Sequence, residues 1–369
     1  MHTMHSTLLI GSYDWERERL PKQEFEERLA ALWKQLPAEV GGIAAFGDRR
    51  SNAELAYLTN FIPKLRDGMV VITREGQAKL FVAGAGNMMP IAARQTWVEN
   101  LTPLSEPGKV LGEWKTEVKG SIAMAGGENL RAALRKGVDE VAAGAPSKQL
   151  DAALRAMMRP KRTRELDAIR ANCAILKAMA QALTEAHRAG KGPTASVIAA
   201  EHVAYKMGGQ EARSLLSLDG GRTLRPFTAP VEKGGETLQA YLAIRKAGYW
   251  VEGFVSAARS EGPARAKARE ALKALVAAAK PGARAADLVK PLQDGLKPFG
   301  EHPVTAGRAG NGIGLSLEEA PNLSTGSGDV LAAGDVVSLR AGASGEGGHA
   351  IVSAMVAVTA GGNEVLWMS

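Results

Sequence analysis

Hydrophobic positions in the first part of the chain change between helical and strand-like spacing. Apolar residues recur every three or four positions over residues 24–36, which predicts an amphipathic helix. A short apolar strand over 42–46 and a turn-rich junction over 56–61 follow. The apolar segments 68–73 and 78–83 flank a turn and predict a β-hairpin. This order of elements predicts an α/β domain.

Beyond a stretch with Gly, Pro and Ser at 143–148, the pattern changes to longer helices and later strands. The predicted helices cover residues 150–189, 195–207, 263–279 and 285–296. The predicted strands cover residues 215–218, 237–244, 248–257, 336–339, 350–359 and 365–367. Because helix pairs alternate with sets of strands, we predict a duplicated α+β half-barrel. The predicted domains are residues 1–150 and 151–369.

Composition limits the class of protein. The 369 residues are 45% hydrophobic and 23% charged, which is typical of globular domains. The sequence has no apolar run of about 18 residues, so we expect no membrane span. The first residues lack the charged, apolar and small-residue regions of a signal peptide. We therefore expect a cytoplasmic protein.

The charge distribution favours a small-molecule partner, and the single cysteine is expected to have a packing role. The net charge of +7 is spread along the chain, and its densest run, 159–164, is predicted to be a solvated linker and helix entry. No basic face with interleaved aromatic residues is evident, so we expect no nucleic-acid partner. Attraction of an anionic substrate is the simpler use of this charge. Cys173 has apolar neighbours and is predicted to be a buried packing residue.

Several short segments occur in an order that is specific to one known family. They are residues 56–61, residues 161–170, Gly248-Tyr249 with Arg259, Lys280-Pro281-Gly282, Gly312-Ile313-Gly314-Leu315 and residues 334–339. Over almost the whole chain the sequence resembles the pita-bread proteins, peptidase M24-like enzymes that include creatinase, prolidase, aminopeptidase P and methionine aminopeptidase. The resemblance implies an α+β fold. A C-terminal pita-bread domain, with duplicated helices and antiparallel sheet, would follow an N-terminal creatinase-like α/β domain.

Two-metal hydrolysis needs several anionic or neutral ligands that converge on neighbouring ions. The family supplies two Asp, one His and two Glu, and the resemblance maps these positions onto this chain. The corresponding residues are Tyr241, Glu252, Asn311, Arg340 and Ser353. Only Glu252 keeps a carboxylate, and Arg340 places a permanent cation where a metal ion would bind. We therefore expect no metal cofactor, although a different site built from Glu252, Glu318 and His349 remains an alternative.

Four residues are candidates for catalysis. Glu252 is the leading acid/base candidate, because a carboxylate in a partly desolvated cleft can be tuned for proton transfer. The alternative is that Glu252 stays ionised in a plain salt bridge with Arg340. The resemblance places Glu318 and Glu319 beside the substrate, with one facing the cleft and the other facing water. His349 follows a Gly-rich turn and is a candidate proton-transfer group.

Seven residues are candidates for substrate binding. They are Arg340, Asn311, Tyr241, Arg222, Arg225, Lys64 and Arg66. Arginine suits a substrate carboxylate or phosphate because its guanidinium is a bidentate donor. Asn311 and Tyr241 offer hydrogen bonds. The resemblance implies a homodimer in which the N-terminal domain of a neighbouring subunit closes the cleft, with Lys64 and Arg66 as its basic groups.

These residues lead to two hypotheses. The first is a metal-independent hydrolase or lyase that cleaves a C–N bond of a small anionic nitrogen compound, by creatinase-like chemistry on a different substrate. The catalytic His that creatinase implies has no counterpart in the loop 224–227. The second is a non-catalytic M24-like protein that binds a ligand or partner. His302 is predicted to be a surface turn residue, and His187 and His202 are predicted to be structural.

Overall fold

The structure is a computed structural model that describes residues 14–64, 66–226, 231, 235–258, 262–346 and 348–369. Phe227 and Arg259, which belong to segments discussed above, lie outside these residues. The chain divides into two compact units, Met1–Met158 and Arg159–Ser369. The boundary predicted after residue 150 falls inside a helix, Ser147–Met158, that clusters with the first unit. We therefore place the boundary after this helix.

The first unit contains a mixed five-stranded sheet with helices. Its α-helices are α1 (Lys22–Trp33), α2 (Ala53–Thr59), α3 (Met89–Ala92), α4 (Pro107–Glu117), α5 (Ala132–Val141) and α6 (Ser147–Met158). Its strands are β1 (Val40–Gly47), β2 (Gly68–Thr73), β3 (Ala78–Val82), β4 (Asn100–Pro103) and β5 (Ser121–Ala125), in the order β4-β3-β2-β1-β5. The predicted hairpin is confirmed as the antiparallel pair β2–β3.

The predicted junction over 56–61 is wrong for most of its length. Helix α2 continues to Thr59, and only Asn60, at φ 63°, adopts the left-handed conformation that ends it. The apolar side chains of Leu55 and Leu58 are buried. The helix also contains Ala, Glu and Leu, which are strong helix formers, so local propensity and burial in the core both stabilise it.

The second unit repeats a pattern of helix pair and strand set. Its helices are α7 (Thr163–Arg188), α8 (Pro193–Lys206), α9 (Pro263–Ala278) and α10 (Ala285–Gly295). Its strands are β6 (Glu211–Leu216), β7 (Thr237–Lys246), β8 (Tyr249–Ala258), β9 (Gly300–Glu301), β10 (Arg308–Gly312), β11 (Glu319–Ser324), β12 (Val336–Gly345), β13 (Gly348–Thr359) and β14 (Gly362–Met368). The helix predicted over 150–189 is interrupted before α7 at Pro160, because proline disfavours helical geometry at the residue before it.

Two antiparallel sheets lie in this unit. Strands β6-β7-β8 form one sheet, and β11-β10-β12-β13-β14, with β9 beside β12, form the other. This arrangement confirms the predicted duplicated α+β architecture. None of the described helices has the length and apolar character needed to cross a bilayer.

The central strands of the larger sheet have one apolar face and one face that carries buried polar side chains among apolar ones. Leu339 and Ala341 of β12 belong to a buried apolar cluster with α9 and α10. Ser338 and Arg340 alternate with them and therefore lie on the opposite face, together with Ser353, which is directly opposite Arg340 on β13. The strand period of two thus separates the apolar core cluster from the face that carries these buried polar side chains.

Candidate active site

The two sheets of the second unit are joined between β8 and β13. The backbone N–H of Phe254 donates to Ser353 Oγ at 2.7 Å. The side chain of Gln239 on β7 accepts the backbone N–H of Ile351 at 3.0 Å and donates to the carbonyl oxygens of Ile351 and Val255 at 3.1 and 3.2 Å. The Gln239 side chain thus hydrogen-bonds backbone groups of both β8 and β13 and links the two sheets. The sequence did not predict this role.

On the smaller sheet, Tyr241 and Glu252 form a buried hydrogen-bonded pair. Tyr241 is opposite Phe254, so Glu252 is its diagonal neighbour on the adjacent strand. The phenol donates to Glu252 Oε2 at 2.6 Å. Burial and the neighbouring Glu252 raise the pKa of Tyr241 well above its ordinary value, so the phenol stays protonated. Within the described part of the chain, the second oxygen, Glu252 Oε1, has no hydrogen-bond partner.

On the larger sheet, Arg340 and Asn311 form the corresponding pair. Asn311 is opposite Ser338 and is therefore diagonal to Arg340. Arg340 Nη2 donates to Asn311 Oδ1, while Asn311 Nδ2 donates to the carbonyl oxygens of Gly312 and Leu317 at 2.9 and 3.0 Å. These two bonds fix the amide so that its oxygen faces the guanidinium. Arg340 Nε has no hydrogen-bond partner among the residues that the structure describes.

We call Tyr241, Glu252, Asn311 and Arg340 the central cluster. Glu252 is 4% exposed and Arg340 is 8% exposed. Burial lowers the pKa of Arg340, whereas the charge of Glu252 raises it, so the two charges interact. Each nevertheless hydrogen-bonds a neutral partner, and the described contacts include no ion pair between them. The predicted alternative of a plain Glu252–Arg340 salt bridge is therefore wrong.

The residues at the expected ligand positions do not fit two metal ions. They comprise a protonated phenol, one carboxylate, an amide, a guanidinium and a serine hydroxyl that accepts a backbone N–H. A guanidinium has no lone pair to give and repels a cation. Among the described residues, no group of three or more His, Cys, Asp or Glu side chains is arranged to hold a metal ion. The alternative site from Glu252, Glu318 and His349 is therefore not assembled.

Glu318 and Glu319 point to different environments. Glu319 Oε2 lies 2.7 Å from Lys161 Nζ, and its Oε1 accepts the backbone N–H of Ser316 at 2.9 Å. Glu318 is 65% exposed and lies 3.5 Å from Arg308 Nη2. The structure thus places Glu319 in a structural ion pair and Glu318 at the surface, and neither side chain is bonded to Glu252.

His349 lies on the same face of β13 as Ser353 but four residues away, which is roughly 13 Å along the strand. Its Nδ1 lies 2.6 Å from Ser344 Oγ. The ring of His302 packs edge-on against it, with ring centroids 6.2 Å apart. The structure therefore associates His349 with a second histidine, at a distance from the central cluster.

The prediction that His302 is a surface residue is wrong, because it is fully buried, at 0% exposure. His302 Nε2 donates to the carbonyl oxygen of Gly221 at 2.6 Å, and Nδ1 accepts the backbone N–H of Val304 at 3.2 Å. This pattern requires a neutral ring, and burial lowers the pKa of His302 accordingly. Gly342 makes room for the ring, since a Cβ there would lie 2.6 Å from His302 Cβ.

The remaining predicted cations are exposed. Arg222 and Arg225 lie in the loop after β6, where a Cβ added to Gly221 would lie only 2.8 Å from the carbonyl oxygen of His349. The structure therefore places these two arginines in the loop beside His349. Lys64 and Arg66 are exposed in the loop before β2 of the first unit.

The basic run 159–164 was predicted to be solvated, and this is wrong for two of its members. Arg159 makes two hydrogen bonds of 2.8 Å to Asp335, and Lys161 is nearly buried against Glu319. The prediction for Cys173 is confirmed, because the thiol is buried and burial raises its pKa to about 12. A neutral thiol in the core is a poor nucleophile.

Comparison with known proteins supports this architecture. The profile of Metallopeptidase family M24 matches residues 255–360. Prolidase from Pyrococcus horikoshii OT3 is 17% identical with a TM-score of 0.73, covering 94% of this chain and 98% of that one. X-Pro aminopeptidase from Thermotoga maritima MSB8 is 16% identical with a TM-score of 0.76, covering 92% and 96%. Zinc-substituted aminopeptidase P from E. coli is 16% identical with a TM-score of 0.71, covering 93% and 94%.

The comparison with curated protein sequences finds no match. At such low identities the structural likeness shows the fold alone. The resemblance to the pita-bread proteins is confirmed at this level: the chain has the α+β fold of prolidase and aminopeptidase P, with an M24-like second unit and a preceding α/β unit.

Proposed function

We propose that this chain is a metal-independent hydrolase or lyase that cleaves a C–N bond of a small anionic nitrogen compound. The observation that carries the proposal is the central cluster, whose charged and hydrogen-bonding side chains are the ones that the resemblance aligns with the family's metal ligands. The M24 match and the hydrolytic names of the structural relatives support hydrolysis as the reaction class. Fold alone does not specify chemistry, so the argument rests on these side chains.

Glu252 is the proposed acid/base group. Tyr241 donates to Oε2, and Oε1, which has no partner among the described residues, is the oxygen proposed to take the proton. In hydrolysis, the oxygen of a water molecule attacks the substrate carbon as Glu252 accepts its proton. The C–N bond then breaks, its electron pair stays on nitrogen, and Glu252 returns the proton to that nitrogen. The products are an acid and an amine.

Positively charged side chains are proposed to attract the anionic substrate. Arg222 and Arg225 supply exposed positive charge in the loop beside His349, whereas Arg340 is a buried cation beside Glu252 in the central cluster. We extend the proposal to a cytoplasmic homodimer in which Lys64 and Arg66 serve the site of a neighbouring subunit. A single buried cysteine is compatible with a reducing compartment.

The test is turnover of N-acyl, N-carbamoyl and guanidino amino acids, followed by amine or ammonia release. We expect the wild-type protein to cleave at least one compound equally well with and without a strong chelator. Glu252→Gln is expected to lower kcat roughly 100-fold or more, because a general acid/base is lost. Glu270→Gln, at an exposed carboxylate on α9, is the matched control and should leave kcat unchanged.

Loss of turnover on chelation, or equal rates for Glu252→Gln and wild type, would contradict the proposal. The near-complete burial of Glu252 and Arg340 favours a second candidate, a non-catalytic binding protein. A compound that raises the Tm but is never converted, and whose affinity survives Glu252→Gln, would favour this second candidate.

A further inference from the structure

The central cluster presents two unused polar atoms of opposite character. Glu252 Oε1 is a hydrogen-bond acceptor on an anionic side chain, and the N–H of Arg340 Nε is a hydrogen-bond donor on a cationic side chain. Both side chains are more than nine-tenths buried, and neither atom has a partner in the described part of the chain. A buried polar atom without a hydrogen-bond partner lowers stability. The two atoms therefore indicate which hydrogen-bonding groups a ligand would need.

Neighbouring groups keep the two atoms from satisfying each other. The phenol of Tyr241 holds one carboxylate oxygen of Glu252. Asn311 is held by two backbone carbonyl oxygens and in turn holds Arg340 through Nη2. The acceptor and the donor are therefore set in place by the fold before any ligand binds, which lowers the cost of binding a matching group.

A neutral amide or ureide group matches both atoms, because its N–H can donate to Glu252 while its carbonyl oxygen accepts from Arg340. An anion at this position would be repelled by Glu252, and a protonated amidine or guanidine would be repelled by Arg340. A tertiary amide, such as the bond before proline, has no N–H to offer.

We propose that the group cleaved at this site is a neutral secondary or primary amide or ureide, and that bonds before proline and cationic guanidines are excluded. The inference rests on the proposed function and narrows its substrate class. It also assigns Arg340 to the carbonyl oxygen of the reacting group, where negative charge develops as the water adds. The anionic group of the substrate then lies outside the central cluster.

The test compares pairs of compounds that differ in whether the amide nitrogen carries a hydrogen. N-acetylglycine and N-acetylsarcosine have the same charge, but only the first carries an amide N–H, because the amide nitrogen of the second bears a methyl group. N-acetylglycine and N-acetylproline form a second pair, and guanidinoacetate is the cationic probe. We expect calorimetry with the full chain to give Kd values that are about tenfold or more higher for the N-substituted members, because a hydrogen bond to a charged group is lost. The Kd of guanidinoacetate should be at least as high as those of the N-substituted members.

Glu252→Met separates this hydrogen bond from simple crowding by the added carbon. If the preference arises from Glu252, both members of each pair should bind this variant equally. A preference that persists in a folded Glu252→Met protein would overturn the inference, as would equal binding of the pairs, or binding of none of the probes, by the wild type. Binding preference without turnover would defeat the proposed function alone, whereas turnover without preference would defeat only the inference.

Discussion

Two sets of buried charge in the second unit are compensated in different ways. At the entry to α7, Arg159 makes a two-pronged contact with Asp335, and Lys161 contacts Glu319 at 2.7 Å. Lys161 is only 4% exposed, yet its charge has an opposite charge in direct contact. We call these two contacts the entry ion pairs. They connect the start of the second unit to its larger sheet.

Glu252 and Arg340 of the central cluster are also buried, at 4% and 8% exposure, but the described contacts include no ion pair between them. Glu252 hydrogen-bonds to a neutral phenol, and Arg340 hydrogen-bonds to a neutral amide. Breaking a buried ion pair is strongly destabilising, because it leaves one charge without compensation. The difference suggests that the entry ion pairs maintain architecture, whereas the central cluster keeps charged atoms available for a ligand.

The largest expected effect is a difference in the free energy of unfolding when one cation in each set is replaced by Met. Lys161→Met should lower the free energy of unfolding by about 3–5 kcal/mol, because Glu319 loses its buried counter-charge. Arg340→Met removes a buried cation that has no ion-pair partner in the described structure, and should lower the free energy of unfolding by a smaller amount, about 1–3 kcal/mol, because Asn311 Oδ1 loses its donor. Denaturation in urea measures both.

The double variant Lys161→Met with Glu319→Leu is the control for this comparison. It should recover much of the stability lost in Lys161→Met, because neither charge is then left alone. Equal losses in the two single variants would mean that Arg340 has a structural role like that of Lys161, and the distinction between the two sets would fail.

A smaller effect is expected from the pH dependence of His302. Its folded-state pKa lies below 6.5 because of burial, with His349 lowering it further and Asp219 opposing this. The stability it contributes is therefore complete above its unfolded pKa, near 6.5, and falls as the pH drops from there through the folded pKa. His302→Gln should flatten this slope in pH-dependent unfolding, and His202→Gln, on the exposed side of α8, should not.

Local pattern predicted most of the fold. The apolar segments 336–339 and 350–359 predicted the first part of β12 and most of β13. Strands β10 and β11 were missed, because Gly310, Gly312 and Pro321 are typical of loops and their strand geometry depends on pairing with β12 and with each other. Tertiary pairing therefore decided what local propensity did not.

The candidate site was only partly predictable. The resemblance placed Tyr241, Glu252, Asn311 and Arg340 in one region, and the structure brings them together in two pairs. That Glu252 and Arg340 do not pair with each other depends on strand register, and no sequence pattern reveals it. The contact of Lys161 with a residue 158 positions away was likewise invisible, because local spacing carries no information on such pairs.

Metal content tests the central claim most directly. The protein should be equilibrated with Mn²⁺, Co²⁺ and Zn²⁺, desalted, and measured by elemental analysis beside Arg340→Met, with turnover followed in parallel. The account predicts far less than one ion per chain in the wild type and turnover that does not depend on added metal. Stoichiometric metal in the wild type, with paired ions coordinated by its own side chains in a crystal, would contradict it.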